Sequence, residues 1–145
     1  MASLGLRGQA LIKGFEVLVF KAYRHFNGEP WTCGWGHTGS DVTENTVCDL
    51  ELAQHWFSQD TAAAVAQINN TIIVPLTQNQ FDALVAFAFN VGVTAEGHST
   101  LAKLVNSRQL ALAANEFMKW DHVKGVKVAG LDHRRAAERA LFLEA

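Results

Sequence analysis

The chain has two cysteines, two prolines and one tyrosine in 145 residues, and its net charge of -2 carries no basic excess. Two cysteines are too few for the cross-linked framework of a small secreted scaffold. Cys33 and Cys48 form no CxxC pair and have no His-x-x-x-His companion, so neither a zinc site nor a redox motif is expected; both read as reduced, partly buried thiols. With only 18% charged residues the composition is not that of a disordered chain. The acidic balance excludes the electrostatic footprint of a nucleic-acid binder. Long apolar runs are missing too. The N-terminal "MASLGLRGQALIKGF" is too short in apolar residues for a signal peptide or a membrane span and reads as an amphipathic helix, so synthesis and retention in a cytoplasm, without stable membrane insertion, are expected.

Hydrophobic residues make up 49% of the chain, and at this length they suffice for one compact domain, residues 1–145, with a core that needs no staple. The basic residues are uneven. Lys119, Lys124, Lys127, Arg134, Arg135 and Arg139 crowd the last quarter, either as a solvated helix face or as a surface for an anionic polymer.

Leu4, Leu11, Ile12, Phe15 and Val19 recur at helical spacing, so the first fifteen or so residues read as a helix with Glu16 in its last turns. Asn27-Gly28, Pro30, Gly34, Gly36 and Gly39 then mark turns and short strands, a small β lobe over about 21–48 with Trp31 and Trp35 as packing anchors. A long helix follows from Asp49 to about Asn70. In "LTQNQFDALVAFAFNVG", Thr77 and Gln80 fit a capping box, Phe81, Leu84, Val85, Ala88 and Phe89 form an apolar stripe, and Gly92 suits the stop. Shorter helices are expected at about 99–106, 109–120 and 134–143, with a loop carrying Gly125 and Gly130 between the last two. The fold class is α+β: a small β lobe joined by a long helix to a larger helical lobe made of the N-terminal helix and about 71–145. Two lobes imply a cleft, and ligand sites favour such junctions.

Glu16 is the residue that the pattern does not explain. It is a carboxylate inside the apolar run "FEVLVF", where Phe15, Val17, Leu18, Val19 and Phe20 would disfavour its anion and keep it available as an acid. The same stretch also fits a salt-bridged helix-end residue with no chemistry.

The string "FEVLVFKAYRHFNGEPWTCGWGHTG" resembles the "FEGLRLKAYRDxxGxWTIGYGHTG" signature of the phage-type lysozymes, the endolysins among the glycoside hydrolases. "VPLTQNQFDALVAFAFNVG" is similar to that family's core helix, and the segment from Ser99 to Phe142 to its closing region. The resemblance runs from about Leu4 to Leu143 and implies a lysozyme-like fold. It further implies a muramidase that hydrolyses the β-1,4 link between N-acetylmuramic acid and N-acetylglucosamine in peptidoglycan, with no metal or cofactor. The expected setting is a monomer held in the host cytoplasm until a holin permeabilises the membrane, and then the periplasm and cell wall.

By the resemblance, the catalytic set is a Glu, eight residues, an Asp or sometimes a Cys, five residues, and a Thr. Glu16 matches the acid and Thr32 the threonine that positions water. The middle position holds His25, and the loop from there to Thr32 is one residue longer. His25 is the candidate for water activation, since a neutral imidazole is a competent base. A protonated imidazole would instead favour the Glu16 anion, so activity is expected to fade in mild acid. Glu29 and Asp41 are the other carboxylates that could replace the missing aspartate, each also readable as an exposed turn residue. Trp31 and Trp35 are candidates to stack on sugar rings as well as to pack the lobe. A C-terminal arginine, Arg134 or Arg135, is implied near Glu16, and Arg135 is expected as a substrate contact. His37 reads as a turn-stabilising residue. Two alternatives remain: cleavage by Glu16 alone, as in lytic transglycosylases, and a peptidoglycan-binding protein whose catalysis is impaired.

Overall fold

The computed structural model describes residues 1–123 and 125–144; Lys124, counted above among the basic residues, lies outside the described residues. Two compact units divide the chain, one of Ile12–Ala62 and one of Met1–Leu11 with the residues from Ala63 onward. Helices and two small two-stranded antiparallel sheets make up both, an α+β composition.

The Ile12–Ala62 unit takes the second half of α1 (Leu6–Glu16), then β1 (Val19–Tyr23), β2 (Thr32–Gly34) and the start of α2 (Leu50–Thr71). β1 and β2 pair with Val19 opposite Gly34 and Tyr23 opposite Thr32, the register shifting between them. On the other edge of β1, Lys21 bridges to Val47, and Cys48 donates its N–H to the Phe20 carbonyl at 2.8 Å. Asp49 caps α2 by accepting the Leu52 N–H at 2.8 Å, which satisfies one of the donors that a helix start leaves open. Ala22, Cys33, Val42 and Trp56 form one apolar cluster here, with Trp31 and Cys48 against it, and Ile12, Trp35, Ala53 and Phe57 are buried as well.

The other unit is built on α3 (Gln78–Val91). Its capping box is present as the sequence indicated, with Gln80 N–H donating to Thr77 and Thr77 N–H to the Gln80 side chain. Gly92 ends the helix at φ +100°, and its N–H reaches the Ala88 carbonyl. Phe81 to Ala88 are all buried, so α3 is enclosed on every side rather than along one stripe. It packs on α7 (Ala129–Leu143), with Leu101, Val105, Phe117, Leu141 and Phe142 completing the core. Each such fully buried side chain is worth about 1.5–3 kcal/mol. Asp82 is buried for a different reason: its carboxylate accepts the Gly5 and Gly8 N–H groups at 2.9 and 3.1 Å and so caps the start of α1.

Differences from the sequence reading are local. α4 (Val93–Gly97), ahead of α5 (Thr100–Asn106), was not read from the sequence. The 109–120 helix is α6 (Leu110–Glu116) followed by a 3-10 turn, Phe117–Lys119. The loop expected after it holds a hairpin of β3 (His122–Val123) and β4 (Val126–Lys127), strands too short for any alternation to show. α7 starts five residues before Arg134, because Gly130 lies in its first turn and does not break it.

Candidate active site

Glu16 is the last residue of α1 and is half-buried. The chain leaves the helix through Val17, whose φ of +53° is left-handed. A β-branched residue is strained there, at a cost of order 1–2 kcal/mol, and glycine usually fills that position. The family signature has glycine at this place, and this chain has valine. Of the apolar residues that flank Glu16 in the sequence, Phe15, Val17 and Phe20 are 38%, 60% and 50% exposed.

A turn supplies a close contact. Gly36, at φ +74°, backs directly onto the carboxyl of Glu16; a methyl added there would collide with Oε2 and lie 3.0 Å from Cδ. Cys33 and His37 exchange backbone hydrogen bonds of 3.0 and 2.9 Å around that turn. Sequence reading assigned His37 to the turn, and its ring does more. It stacks on Trp56 at 4.4 Å between centroids, with Nδ1 2.8 Å from Asp60 and Nε2 3.0 Å from Asp41. Both nitrogens donate only as imidazolium, so the arrangement suits a cation held between two carboxylates. The hydrogen bond from His37 holds the Asp41 carboxyl below its ordinary range. Asp41 is thereby engaged with His37. Trp56 and Asp60 were missed in the sequence, although their i, i+4 spacing on α2 puts both on one face.

His25 lies exposed in the loop between the two strands. Its ring meets Tyr23 edge-on at 5.3 Å and Phe26 at a tilt at 6.4 Å. Glu29 is tied to the same loop, accepting the His25 backbone N–H at 3.3 Å. Thr32 is half-buried at the start of β2, its hydroxyl 3.4 Å from the Pro30 carbonyl. Trp31 is half-buried with the Arg24 guanidinium over its ring at 4.5 Å, which occupies one face. Trp35 is 9% exposed, set edge-on against Phe57 at 5.8 Å and capped by the Lys13 ammonium at 4.3 Å. These contacts make Trp35 a packing anchor of this unit.

Arg135 belongs to the other unit. It is fully buried, with Nε 2.8 Å from Glu138, a bond to Asn90 at 2.7 Å and the Phe87 ring 5.2 Å away. Burial pushes the Glu138 carboxyl up to about 7 and the Arg135 guanidinium down, against the attraction between them. Arg135 thus forms a buried ion pair with Glu138. The Arg134 Nε also lies 3.7 Å from Glu138; the i+3 and i+4 spacings to Glu138 were the signal available in the sequence. Arg135 underlies a concavity of about 390 Å³ whose wall includes Asn90, Lys119, Trp120 and His122. Among the described residues no group of three or more His, Cys, Asp or Glu side chains is placed to hold a metal ion, and no helix is long and apolar enough to cross a membrane.

The phage lysozyme family model matches residues 13–138, which include Glu16, the turn at Gly36 and the Arg134-Arg135 pair. The chain belongs to the phage lysozyme family. It is 45% identical to an endolysin of Bacillus phage PZA over 93% of its own length, and spans 53% of that protein. It is 42% identical to an endolysin of Acyrthosiphon pisum secondary endosymbiont phage 1, covering 94% of both chains. Among solved structures it is similar to the muramidase domain of SpmX from Asticaccaulis excentricus, with a TM-score of 0.91, 36% identity and full coverage of both chains. The fold is therefore lysozyme-like, as the motifs implied. The chain spans about half the length of the Bacillus phage relatives.

Proposed function

We propose that this protein is an endolysin: a muramidase that hydrolyses the β-1,4 bond between N-acetylmuramic acid and N-acetylglucosamine in peptidoglycan. One observation carries the reading. In a member of the phage lysozyme family, the motif glutamate ends its helix with a glycine turn seated against its carboxyl. Holding a single carboxyl in one place is what general-acid catalysis requires, because proton transfer depends on reach before it depends on acidity.

Glu16 protonates the departing sugar oxygen. The Thr32 hydroxyl positions the attacking water, and His25 is the candidate to take its proton, the role a second carboxylate fills in inverting glycosidases. The loop that carries His25 is fastened by its own contacts with Tyr23, Phe26 and Glu29. Trp31 is the candidate to stack on a sugar ring. No metal or cofactor takes part in this scheme. The enzyme acts as a monomer, held in the host cytoplasm until a holin opens the membrane, and then reaches the wall from the periplasmic side.

Product chemistry tests the reaction. Digestion of purified sacculi, followed by mass spectrometry of the fragments, should give saccharides with reducing ends at muramic acid. Products ending in 1,6-anhydro sugars, or a polymer left whole, would overturn it.

A further inference from the structure

The two cysteines sit closer together than their sequence spacing suggests. Cys33 is on β2 and fully buried; Cys48 is half-buried on the stretch that runs along the opposite edge of β1. Both are free thiols, and their sulfurs are 3.4 Å apart. Each sulfur also lies near the Val19 carbonyl, at 3.8 Å for Cys33 and 3.6 Å for Cys48. The sulfurs therefore converge over the first residue of β1, where the pairing with β2 begins and the register then shifts. A disulfide needs a separation of about 2.0 Å, so closure asks the sulfurs to approach by roughly 1.4 Å.

We propose that Cys33 and Cys48 are a thiol-oxidation site that accepts an intrachain disulfide from a low-molecular-weight disulfide such as oxidised glutathione. Cys48 is the entry point because it is the one reached by solvent. Its thiolate attacks one sulfur of the glutathione disulfide, forming a mixed disulfide and releasing one glutathione thiolate, which takes up a proton. The Cys33 thiolate then attacks the Cys48 sulfur and expels the second glutathione. Two protein thiols are oxidised, one disulfide is reduced to two thiols, and the protons pass to the departing glutathione. Burial pushes the Cys48 thiol up to about 11, so the first step is slow near neutral pH, and the pair stays reduced unless the surroundings are persistently oxidising.

The consequence is mechanical. The new bond closes the chain around residues 34–47, the segment that holds Gly36 against Glu16 and His37 between its two carboxylates. Between β2 and α2 this stretch is built of turns and isolated bridges, so restricting its unfolded form is an effective way to stabilise it.

The full-length chain, incubated with excess oxidised glutathione for a day, should lose both titratable thiols without becoming a dimer. Its mass should fall by two hydrogens, and a non-reducing peptide map should join Cys33 to Cys48. Its melting temperature should rise by roughly 5 °C and return on treatment with dithiothreitol. Cys48→Ala, treated alike, should show neither the cross-link nor the rise. Arrest at one glutathione on Cys48, linkage only between chains, or a cross-linked chain that melts no higher than the reduced one would each overturn the proposal.

Discussion

Gly36 packs its backbone against the Glu16 carboxyl with no room for a side chain between them. The turn is thus a fixed wall for the proposed acid, and its backbone at φ +74° is one that only glycine adopts without strain. Gly36→Ala should displace that carboxyl and impose a left-handed penalty of about 1–2 kcal/mol. We expect a fall in lysis rate of at least about tenfold, with a lower melting temperature. Gly14→Ala is the control, because nothing lies within 4 Å of a methyl there; in a helix it should stabilise by up to about 1 kcal/mol and leave the lysis rate unchanged.

Val17 offers the opposite experiment. It holds a left-handed conformation directly after Glu16 with a side chain that resists it. Val17→Gly should raise stability by about 1 kcal/mol, read as a higher urea midpoint at unchanged slope. A lower midpoint would show that the valine side chain contributes more than its backbone costs.

His25 is exposed and holds its place through ring contacts with Tyr23 and Phe26. If it activates water, His25→Ala should lower kcat by about 100-fold, the lower end for a positioned base, with the melting temperature unmoved. An unchanged kcat would take His25 out of the chemistry.

Glu96 gives a pH signature that belongs to folding alone. It is fully buried, with Thr71 and Gln67 as its polar neighbours, and burial raises its carboxyl above the ordinary value of 4.5. A raised value means that the folded chain binds the proton more tightly than the unfolded one. Its contribution is therefore complete below about pH 4.5 and is lost as pH climbs through the raised value. Glu96→Gln should remove that slope and be more stable than the parent at pH 7, by about 1 kcal/mol. Urea titrations between pH 4 and 8 would show it, and parallel curves for the two proteins would contradict it.

What the sequence disclosed depended on how local each signal was. The capping box, stripe and terminal glycine of α3 fall within one short segment, so that helix was legible almost to the residue. Glu16 and Thr32 were legible as motif positions. The contact of Gly36 with Glu16 was not, because it joins a helix end to a distant turn. The clamp of Asp41 and Asp60 on His37 depends in the same way on tertiary structure, as does the buried pairing of Arg135 with Glu138. The hairpin of β3 and β4 offered too few residues for any period to register. The exposure of Phe15, Val17 and Phe20 was not legible in the apolar run around Glu16, because exposure is set by tertiary packing.

The most direct test of the account is the rate of peptidoglycan hydrolysis by Glu16→Gln, measured beside its melting curve. The account predicts a loss of at least about 100-fold in kcat with the fold intact. A variant that hydrolyses the wall at the parent's rate would contradict it.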